Sequence, residues 1–477
     1  MVGRKKEADV LEGLYNSETS QFVAICGRRR VGKTYLVNEL FHDRMTFRHA
    51  GISPIESGGG KARSPLKQQL KNFYNSLIIC GAEPKKCPKD WMEAFLMLEL
   101  YLQGIDDGSR QLVFIDELPW LDTPKSGFIT AFEAFWNNWG CARKNLMLIV
   151  CGSATSWMSD KLINNHGGLY GRITYEIKLE PFTLKECEEY FQEKNIKFSR
   201  YDIVSAYMAC GGIPYYLGYF YGGNSLAQNI DRLFFEKNAP LHNEFDRLFN
   251  SVFANSDFMK SLVRAIGKKG IGLTRDEIIS ELSINTNGVL TDALRALIAS
   301  DFVARYTPFG SKKDHYKLMD PFCNFYLRFV ENSSRCENDF WLSNIVSQKV
   351  VTWRGIAFEN VCFSHVEQIK EKLGVRGVAA EASSWRYDDG AEKGQIDLII
   401  KRNDNVIDVC ECKFYSDDFA ATEKDFKKAN SRCWEIYKYV PKKFSSQSVL
   451  ITTYGLARNE YSSAYQCVVT LDDLFKL

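Results

Sequence analysis

The stretch GRRRVGKT occupies residues 27–34 and decides the fold of the N-terminal part of the chain. It follows an apolar run at residues 22–26 and precedes a helix-like stretch at residues 35–41, so the order is strand, glycine-bounded loop, helix. This order predicts a phosphate-binding loop, in which backbone N–H groups and the positive end of the helix dipole face an anion. The predicted nucleotide-contacting residues of the loop are Gly27, Arg28, Arg29, Arg30, Val31, Gly32, Lys33 and Thr34.

Two side chains of this loop have specific predicted roles. Lys33 is expected to reach the β- and γ-phosphates of ATP, and the Thr34 hydroxyl is expected to ligate Mg²⁺. A Gly/Lys turn in front of a surface helix is the alternative, and the flanking strand and helix patterns disfavour it. The loop therefore predicts ATP and Mg²⁺ as cofactors.

A second apolar run, at residues 112–115, ends in Asp116 and Glu117. A buried parallel strand would deliver these carboxylates to its C-terminal edge. Asp116 is then predicted to hold the Mg²⁺ shell, and Glu117 to polarise the attacking water. An acidic pair after a strand is by itself more typical of a helix cap, but behind a phosphate loop the hydrolytic interpretation is favoured.

Length and composition limit the class of protein. A chain of 477 residues is too long for one hydrophobic core, and its net charge of +2 excludes a uniformly basic surface, so any nucleic-acid surface must be a local patch. The 14 cysteines contain no CxxC pair, which favours a reducing cytosol over a disulfide framework or a zinc site. No signal peptide and no apolar stretch of spanning length is evident, so we expect a cytoplasmic protein without a membrane partner.

Strand-like and helix-like stretches alternate in the first third of the chain. They include strands at 146–151 and 173–179 and a helix at 128–139, which indicates an α/β layer with a parallel sheet. The predicted domains are a P-loop core at 1–180, a helical lid at 181–248, a winged-helix domain at 249–330 and a C-terminal α/β domain at 346–477, after a polar linker at 331–345.

The winged-helix prediction depends on two helices, at 277–282 and 289–300, followed by a hairpin whose strands end near residue 318. The second helix would enter a DNA groove, yet Arg295 is its only basic residue. The hairpin adds Lys312 and Lys313. Direct DNA contact and a packing or protein-interaction role are therefore both left open.

Charged residues cluster in a predicted hairpin of the C-terminal domain. Asp397 opens the first strand, and Glu411 and Lys413 end the second, on the same face because side chains alternate along a strand. Upstream, Glu359 lies on a helix predicted to begin near Arg354. Converging carboxylates select Mg²⁺ or Mn²⁺, which could activate water at this site. Charged hairpin ends are also common without any such role.

Several motifs together resemble the archaeal-type ATPases, a branch of the AAA+/STAND-like P-loop ATPases. The motifs are VGRKKE, GRRRVGKT, VFIDELPWL, GSATSWM, GLYGR and GGIPYYL, followed by YKLMDPFCNFYLRFV, WRGIAFE and the acids Asp397 and Glu411 with Lys413. The resemblance covers nearly the whole chain. It implies an α/β P-loop ATPase core with a helical lid, a winged helix and a C-terminal PD-(D/E)XK nuclease-like domain of the restriction-endonuclease type.

The resemblance also implies roles for single residues. Ser153 falls at the sensor position of the family, and Arg172 is a candidate arginine finger, which would act in trans within a homo-oligomer; a solvated arginine is the alternative for Arg172. Asp397, Glu411 and Lys413 would form the nuclease core, with Glu359 as an additional metal ligand. The family often has proline before the first acid, where this chain has Ile396.

Three functions are consistent with these residues. The first is an ATPase coupled to metal-dependent DNA cleavage by the C-terminal domain. The second is a nucleotide-dependent switch whose C-terminal domain binds nucleic acid or protein without cleaving it. The third, a scaffold with a degenerate ATPase, is disfavoured by the intact Lys33, Asp116 and Glu117.

Overall fold

The computed structural model describes residues 1–53, 64–83, 86–153, 155–164, 167–253, 255–285, 288–333, 339–388 and 393–476. Part of the predicted linker, residues 334–338, lies outside the described residues. The chain divides into two compact units. Unit 1 comprises Met1–Pro181, Asp246–Asp257 and Arg295–Ser300, and unit 2 comprises Phe182–Phe245, Phe258–Leu294 and Asp301–Leu477.

Unit 1 is built on a five-stranded, fully parallel sheet in the order β2-β3-β4-β1-β5. Its strands are β1 (Gln21–Cys26), β2 (Met45–Ala50), β3 (Gln111–Asp116), β4 (Leu146–Gly152) and β5 (Tyr175–Lys178). Its helices are α1 (Lys5–Tyr15), α2 (Lys33–Phe41), α3 (Pro65–Ile79), α4 (Trp91–Gly104), α5 (Phe128–Asn138) and α6 (Thr155–Trp157), the last continued by a π-helical turn at Met158–Ile163.

The three central strands of this sheet, β1, β3 and β4, are buried along their whole length. Continuous apolar runs are typical of parallel strands covered on both faces, which is why sequence alone predicted all three. Helices α3, α4 and α5 cover one face with an aromatic-rich core that includes Phe22, Phe73, Trp91, Phe95, Phe128 and Phe132. The core fixes the carboxyl ends of β1, β3 and β4 beside one another at one edge of the sheet.

The chain after residue 181 is helical up to the second sheet. The helices are α7 (Leu184–Glu193), α8 (Arg200–Cys210), α9 (Pro214–Leu217), α10 (Leu226–Phe234), α11 (Glu244–Val252) and α12 (Ser256–Gly267). Capping boxes begin α7, α8 and α10, at Thr183, Ser199 and Ser225. Among the described residues, no helix combines the length and apolar character that crossing a bilayer requires.

The next segment runs helix, strand, helix, helix, hairpin. After α12 come β6 (Leu273–Thr274), α13 (Arg275–Leu282), α14 (Gly288–Ala299), β7 (Val303–Tyr306) and β8 (His315–Leu318). The hairpin lies within two residues of the prediction. The pairing of β6 with β8, which completes a three-stranded antiparallel sheet, was not predicted because a two-residue strand has no recognisable period.

The C-terminal part of unit 2 contains a mixed five-stranded sheet in the order β13-β12-β11-β10-β9. Strands β9 (Ala380–Asp388), β10 (Lys393–Arg402) and β11 (Val406–Lys413) are antiparallel, whereas β12 (Ser445–Thr452) and β13 (Cys467–Val469) continue parallel to β11. The remaining helices are α15 (Pro321–Phe325, continued by a π-helical turn at Tyr326–Val330), α16 (Phe340–Asn344), α17 (Gln348–Ser364), α18 (Val366–Lys372), α19 (Glu423–Ile436) and α20 (Leu471–Leu474).

Candidate functional sites

The phosphate loop connects β1 to α2 and depends on two glycines. Gly27 has φ +145°, and a Cβ there would lie 2.3 Å from the carbonyl oxygen of Leu179. Gly32, which precedes α2, has φ +96°. L-residues rarely adopt either conformation, so the glycines at the two ends of the predicted motif are required by the backbone.

Lys33 is buried at the first position of α2 and folds back over the loop. Its Nζ donates hydrogen bonds to the carbonyl oxygens of Gly27 (2.8 Å) and Arg28 (3.0 Å). Burial lowers the pKa of Lys33, while Glu117 and the nearby Asp116 oppose that shift. The ammonium is thus held directly above the segment predicted to cradle phosphates.

Thr34 and Asp116 are in direct contact. Thr34 Oγ1 donates to Asp116 Oδ2 at 2.7 Å, and Asp116 Oδ1 accepts from the backbone N–H of Glu117 at 2.9 Å. A hydroxyl beside a carboxylate, both oxygen donors, suits Mg²⁺. These two residues therefore fit the predicted Mg²⁺ shell.

Glu117 and Ser153 form the second pair of this site. Glu117 has φ +47°, directly after β3, and its Oε2 accepts from Ser153 Oγ at 2.8 Å and from the backbone N–H of Ser153 at 3.3 Å. Ser153 follows β4 and is buried. The adjacent ends of two parallel strands thus bring together a carboxylate and a hydroxyl that are far apart in sequence.

The remaining residues of the loop, Arg28 to Val31, lie in different surroundings. Val31 is buried, and its carbonyl oxygen accepts a hydrogen bond from Arg4 Nη2 at 3.2 Å. Arg28 is buried, and the guanidinium of Arg29 lies 5.5 Å from the ring centroid of Trp120. Arg30 has φ +74°. The arginine side chains therefore differ in environment, although the motif lists them as a run.

Arg4 is a residue that the functional assignment from sequence missed. It is buried, and its Nη2 also donates to the carbonyl oxygen of Glu180 at 2.6 Å. The guanidinium thus ties the phosphate loop to the segment that follows β5. The signal was present in the motif VGRKKE, which the sequence analysis used only for the family resemblance.

Arg172 does not join the phosphate loop in this chain. It is exposed in the turn before β5, and the nearby Thr174 pairs with Phe22 near the start of β1. Gly27 lies five residues after Phe22 along β1. At about 3.3 Å per residue, Arg172 is therefore on the order of 15 Å from the loop, beside the opposite end of the strand. This position does not support a role of Arg172 within its own site, and a role in trans stays a prediction.

The second predicted site lies in unit 2, where Asp397 is inside β10 and does not open it. The register between β9 and β10 shifts between Ile396 and Ile399, so Asp397 lies at a β-bulge. Bulges re-aim side chains and are common beside active sites. Asp397 Oδ2 accepts from the backbone N–H of Cys412 at 3.1 Å.

Glu411 is buried and surrounded by cations. Its carboxylate oxygens lie 2.7 Å from Arg432 Nη1, 2.8 Å from Lys413 Nζ and 3.2 Å from Lys428 Nζ. Burial alone would raise the pKa of Glu411, but Arg432, Lys413 and Lys428 outweigh it and hold the pKa at about 2. Glu411 is therefore ionised and fully compensated.

Glu359 belongs to the same cluster but has the opposite electrostatics. Its helix, α17, begins at Gln348 and not near Arg354, because Ser347 caps it through the N–H of Val350. Burial raises the pKa of Glu359 to about 8, and the neighbouring Asp397 adds to that shift. The three predicted acids therefore lie in one cluster, but Glu359 and Glu411 differ in pKa and hence in charge.

Lys317 and Arg432 were not predicted as members of this cluster. Lys317 comes from β8, is buried, and lies 5.4 Å from the ring centroid of Phe363 on α17. Burial lowers its pKa, and Glu359 opposes that shift. Arg432 lies four positions after Lys428 on α19, a spacing that places both on one helix face and could have indicated the pair.

The metal prediction for this cluster is not met by the arrangement of its side chains. Among the described residues, no three or more His, Cys, Asp or Glu side chains are grouped so that they could hold a metal ion. Glu359, Asp397 and Glu411 stand near one another, but the oxygens of Glu411 are already bound by Lys413, Lys428 and Arg432. As arranged here, these acids do not fit a three-carboxylate metal centre.

Comparisons with known proteins found one relative by sequence and several similar solved structures. An uncharacterized protein of Methanocaldococcus jannaschii is 28% identical over 373 residues, which are 76% of this chain and 76% of the relative. The solved Walker-type ATPase of Pyrococcus abyssi aligns with a TM-score of 0.46 and 18% identity over 69% of this chain and 96% of that chain. The ORC2 protein of Aeropyrum pernix aligns with a TM-score of 0.42 and 12% identity over 70% and 94%.

One comparison identifies the phosphate-loop site specifically. Residues 1–220 match the model of a family described as an ATPase domain predominantly from Archaea. The match includes the phosphate loop, both acids after β3 and Ser153, and it ends before the predicted winged helix and the carboxylate cluster of unit 2. The family match and the geometry of the loop together support a P-loop ATPase domain of the archaeal type within residues 1–220.

Proposed function

We propose that the chain binds ATP with Mg²⁺ at the phosphate loop and hydrolyses it. The observation that carries this proposal is the pair of contacts at the sheet edge, Thr34 with Asp116 and Ser153 with Glu117. Mg²⁺ held by the first pair would neutralise charge on the phosphates. Lys33 would turn from the loop carbonyls to the phosphate oxygens, and Glu117 would orient the attacking water while Ser153 holds the carboxylate in place.

The test is steady-state ATP turnover of the full chain. Glu117→Gln should lower kcat by roughly 10²- to 10⁴-fold with ATP binding retained, because the general base is lost while the phosphate contacts remain. Lys33→Ala should weaken ATP binding itself. Glu39→Gln, an exposed glutamate on α2, is the matched control and should turn over like wild type. Turnover in Glu117→Gln equal to wild type contradicts the proposal, whereas the expected loss excludes a degenerate scaffold.

We further propose that unit 2 acts on nucleic acid through its C-terminal sheet, and that the segment from α12 to β8 is a winged helix whose hairpin has a packing role. The cations Lys413 and Lys428 at the carboxylate cluster favour an anionic partner. The hairpin packs against the C-terminal sheet, because Tyr306 is hydrogen-bonded to Ser384 Oγ (2.8 Å) and the ring centroid of Phe309 lies 5.5 Å from that of Trp385. We therefore do not expect it to enter a DNA groove. The C-terminal sheet is therefore the favoured DNA-binding surface.

Cleavage by the nuclease-like domain stays a prediction of the family resemblance. The second function, binding of nucleic acid without cleavage, is favoured by the compensated state of Glu411. Incubation of single-stranded, duplex and branched DNA with Mg²⁺ or Mn²⁺, with and without ATP, separates the two. Cleavage lost in Asp397→Ala and Lys413→Ala supports a nuclease, and its absence in every state leaves the binding function.

A homo-oligomer in which Arg172 completes a neighbour's ATP site is also proposed. Its exposure in the turn before β5 leaves the side chain accessible to another copy. Specific ATPase activity should then rise with protein concentration, and the rise should be lost in Arg172→Ala. Activity per molecule that is independent of concentration contradicts the trans role.

A further inference from the structure

Three aromatic rings in unit 2 form a stack with nearly parallel planes. The ring centroids of Tyr201 and Phe414 are 4.7 Å apart with an interplanar angle of 22°, and those of Tyr201 and Tyr454 are 6.2 Å apart with an angle of 10°. Tyr201 is thus the ring that pairs with both of the others. Offset-stacked and edge-to-face arrangements are the ones that aromatic pairs prefer, and Phe358 packs against Phe414 in a tilted arrangement (5.3 Å, 48°).

The stack lies directly beside the carboxylate cluster. Phe414 follows Lys413, the last residue of β11, and Tyr454 lies two residues past Thr452, the last residue of β12. Lys413 and Thr452 are register partners in these parallel strands. Phe414 and Tyr454 therefore follow the adjacent ends of two paired strands, of which β11 carries Glu411 and Lys413.

One end of the stack is closed and the other is open. Phe358, which packs against Phe414, is fully buried, whereas Tyr454 is 49% exposed although its ring lies parallel to that of Tyr201. Tyr415, the neighbour of Phe414 in sequence, is also 49% exposed. A half-exposed ring at the end of a parallel stack leaves a flat face on which a further planar ring can continue the series.

Positive charge adjoins the stack. Arg354 on α17 lies close enough to Tyr201 to oppose, by its charge, the upward shift that burial gives the pKa of that phenol. The Nε of Arg354 is buried without a hydrogen-bond partner among the described residues. Lys413, beside Phe414, supplies a second cation. A planar surface flanked by cations is the combination by which proteins bind unpaired nucleotides.

We propose that Tyr454, backed by Tyr201 and Phe414, is a stacking subsite for an unpaired base of a nucleic-acid strand whose phosphates lie toward Lys413 and Arg354. The proposal deepens the proposed nucleic-acid function of unit 2 and rests on it. Inside a duplex both faces of a base are covered by the neighbouring base pairs, so the subsite favours single strands or unpaired ends over the interior of a duplex.

The test is anisotropy of a fluorescein-labelled oligothymidylate, and of a blunt duplex of the same length, with the full chain in low salt. Because a base–aromatic stack typically contributes severalfold to affinity, Tyr454→Ala should raise the single-strand Kd at least roughly fivefold. The duplex Kd should change much less. Tyr454→Phe, which keeps the ring, should bind like wild type.

Controls make each outcome decisive. Tyr221→Ala removes another exposed tyrosine of unit 2, 61% exposed, and should leave both constants unchanged. Unaltered ATP turnover and thermal unfolding of Tyr454→Ala exclude a general folding defect. An unchanged single-strand Kd in Tyr454→Ala, or equal losses in Tyr454→Ala and Tyr221→Ala, overturns the subsite alone.

Two further outcomes concern the partner itself. If thymidine monophosphate competes with the oligothymidylate at equal nucleotide concentration, a free nucleotide occupies the stack. That result overturns the proposal that the ligand is a nucleic-acid strand. If the wild-type chain binds neither single strand nor duplex, the nucleic-acid function of unit 2 fails, and the subsite fails with it.

Discussion

The phosphate-loop site of unit 1 and the carboxylate cluster of unit 2 use the same chemical groups in opposite ways. In unit 1, the lysine Lys33 bonds to backbone carbonyls, and Asp116 and Glu117 are held by neutral hydroxyls. In unit 2, Glu411 is held by cations, among them Arg432. Acids held by hydroxyls remain available to a metal ion or a water molecule, whereas an acid inside ion pairs is already neutralised. Lysine and carboxylates at strand ends therefore do not by themselves define a metal site.

Breaking the ion pair of Glu411 should give the largest effect on stability. Arg432→Met leaves a buried carboxylate without its closest cation, and removal of one partner of a buried pair costs about 3 kcal/mol. Thermal or urea unfolding of unit 2 should detect this loss at neutral pH. Since the pKa of Glu411 is lowered to about 2, the pair stabilises the fold above the ordinary pKa near 4.5. The difference from wild type should therefore shrink as the pH falls from about 4.5 to 2.

The control for Arg432→Met is an exposed pair on the same helix. Lys427 and Glu423 are 72% and 62% exposed. Lys427→Met should therefore cost less than about 1 kcal/mol at any pH. Equal losses in the two variants would contradict the compensated state of Glu411.

Removing the titratable carboxyl of Glu359 should change how the stability of the fold depends on pH. Because burial raises its pKa to about 8, the folded state holds a proton that the unfolded state releases above about 4.5. The stability of wild type should therefore fall as the pH rises between these values. Glu359→Gln, a neutral side chain of the same shape, should remove this slope, which unfolding midpoints measured at several pH values would detect. Parallel pH profiles of variant and wild type would show that Glu359 has an ordinary pKa.

Loosening the phosphate loop should give the smallest effect. Arg4→Met removes the donor to the carbonyl oxygens of Val31 and Glu180 and leaves the ATP-contacting groups in place. Unpaired carbonyls and a less ordered loop should weaken ATP binding roughly fivefold, with kcat little changed. Titration with a fluorescent ATP analogue measures the change, and the exposed neighbour Lys5, as Lys5→Met, is the control. A loss confined to kcat would instead indicate a role in the reaction itself.

The sequence predicted the unit 1 site because its parts are local. Gly27, Gly32 and Lys33 belong to one continuous loop, and Asp116 and Ser153 each follow a continuous apolar strand. Buried parallel strands have a simple signature, and their carboxyl ends must meet at one sheet edge. Arg4 was the exception, because the motif VGRKKE marks the residue but does not indicate which backbone carbonyls its side chain contacts.

The sequence predicted only part of the carboxylate cluster of unit 2, because the parts of this cluster are not local. The acids and Lys413 could be read from two strands and a helix, but the cations that decide their charge come from elsewhere. Lys317 is on a different sheet, and Arg432 is on a helix after the motif. A strand-end pattern specifies which acids converge and says nothing of the cations packed against them.

The amino-acid sequence by itself determined that a glycine-bounded loop of the P-loop type connects the first strand to a helix, since glycine positions, an apolar run and a helix start are properties of neighbouring residues. Only the tertiary structure decided the state of the second site, because burial and long-range ion pairs set the charge of Glu359 and Glu411. It also decided that Tyr201, Phe414 and Tyr454 form one stack, since rings from three distant segments become neighbours only when the chain is folded.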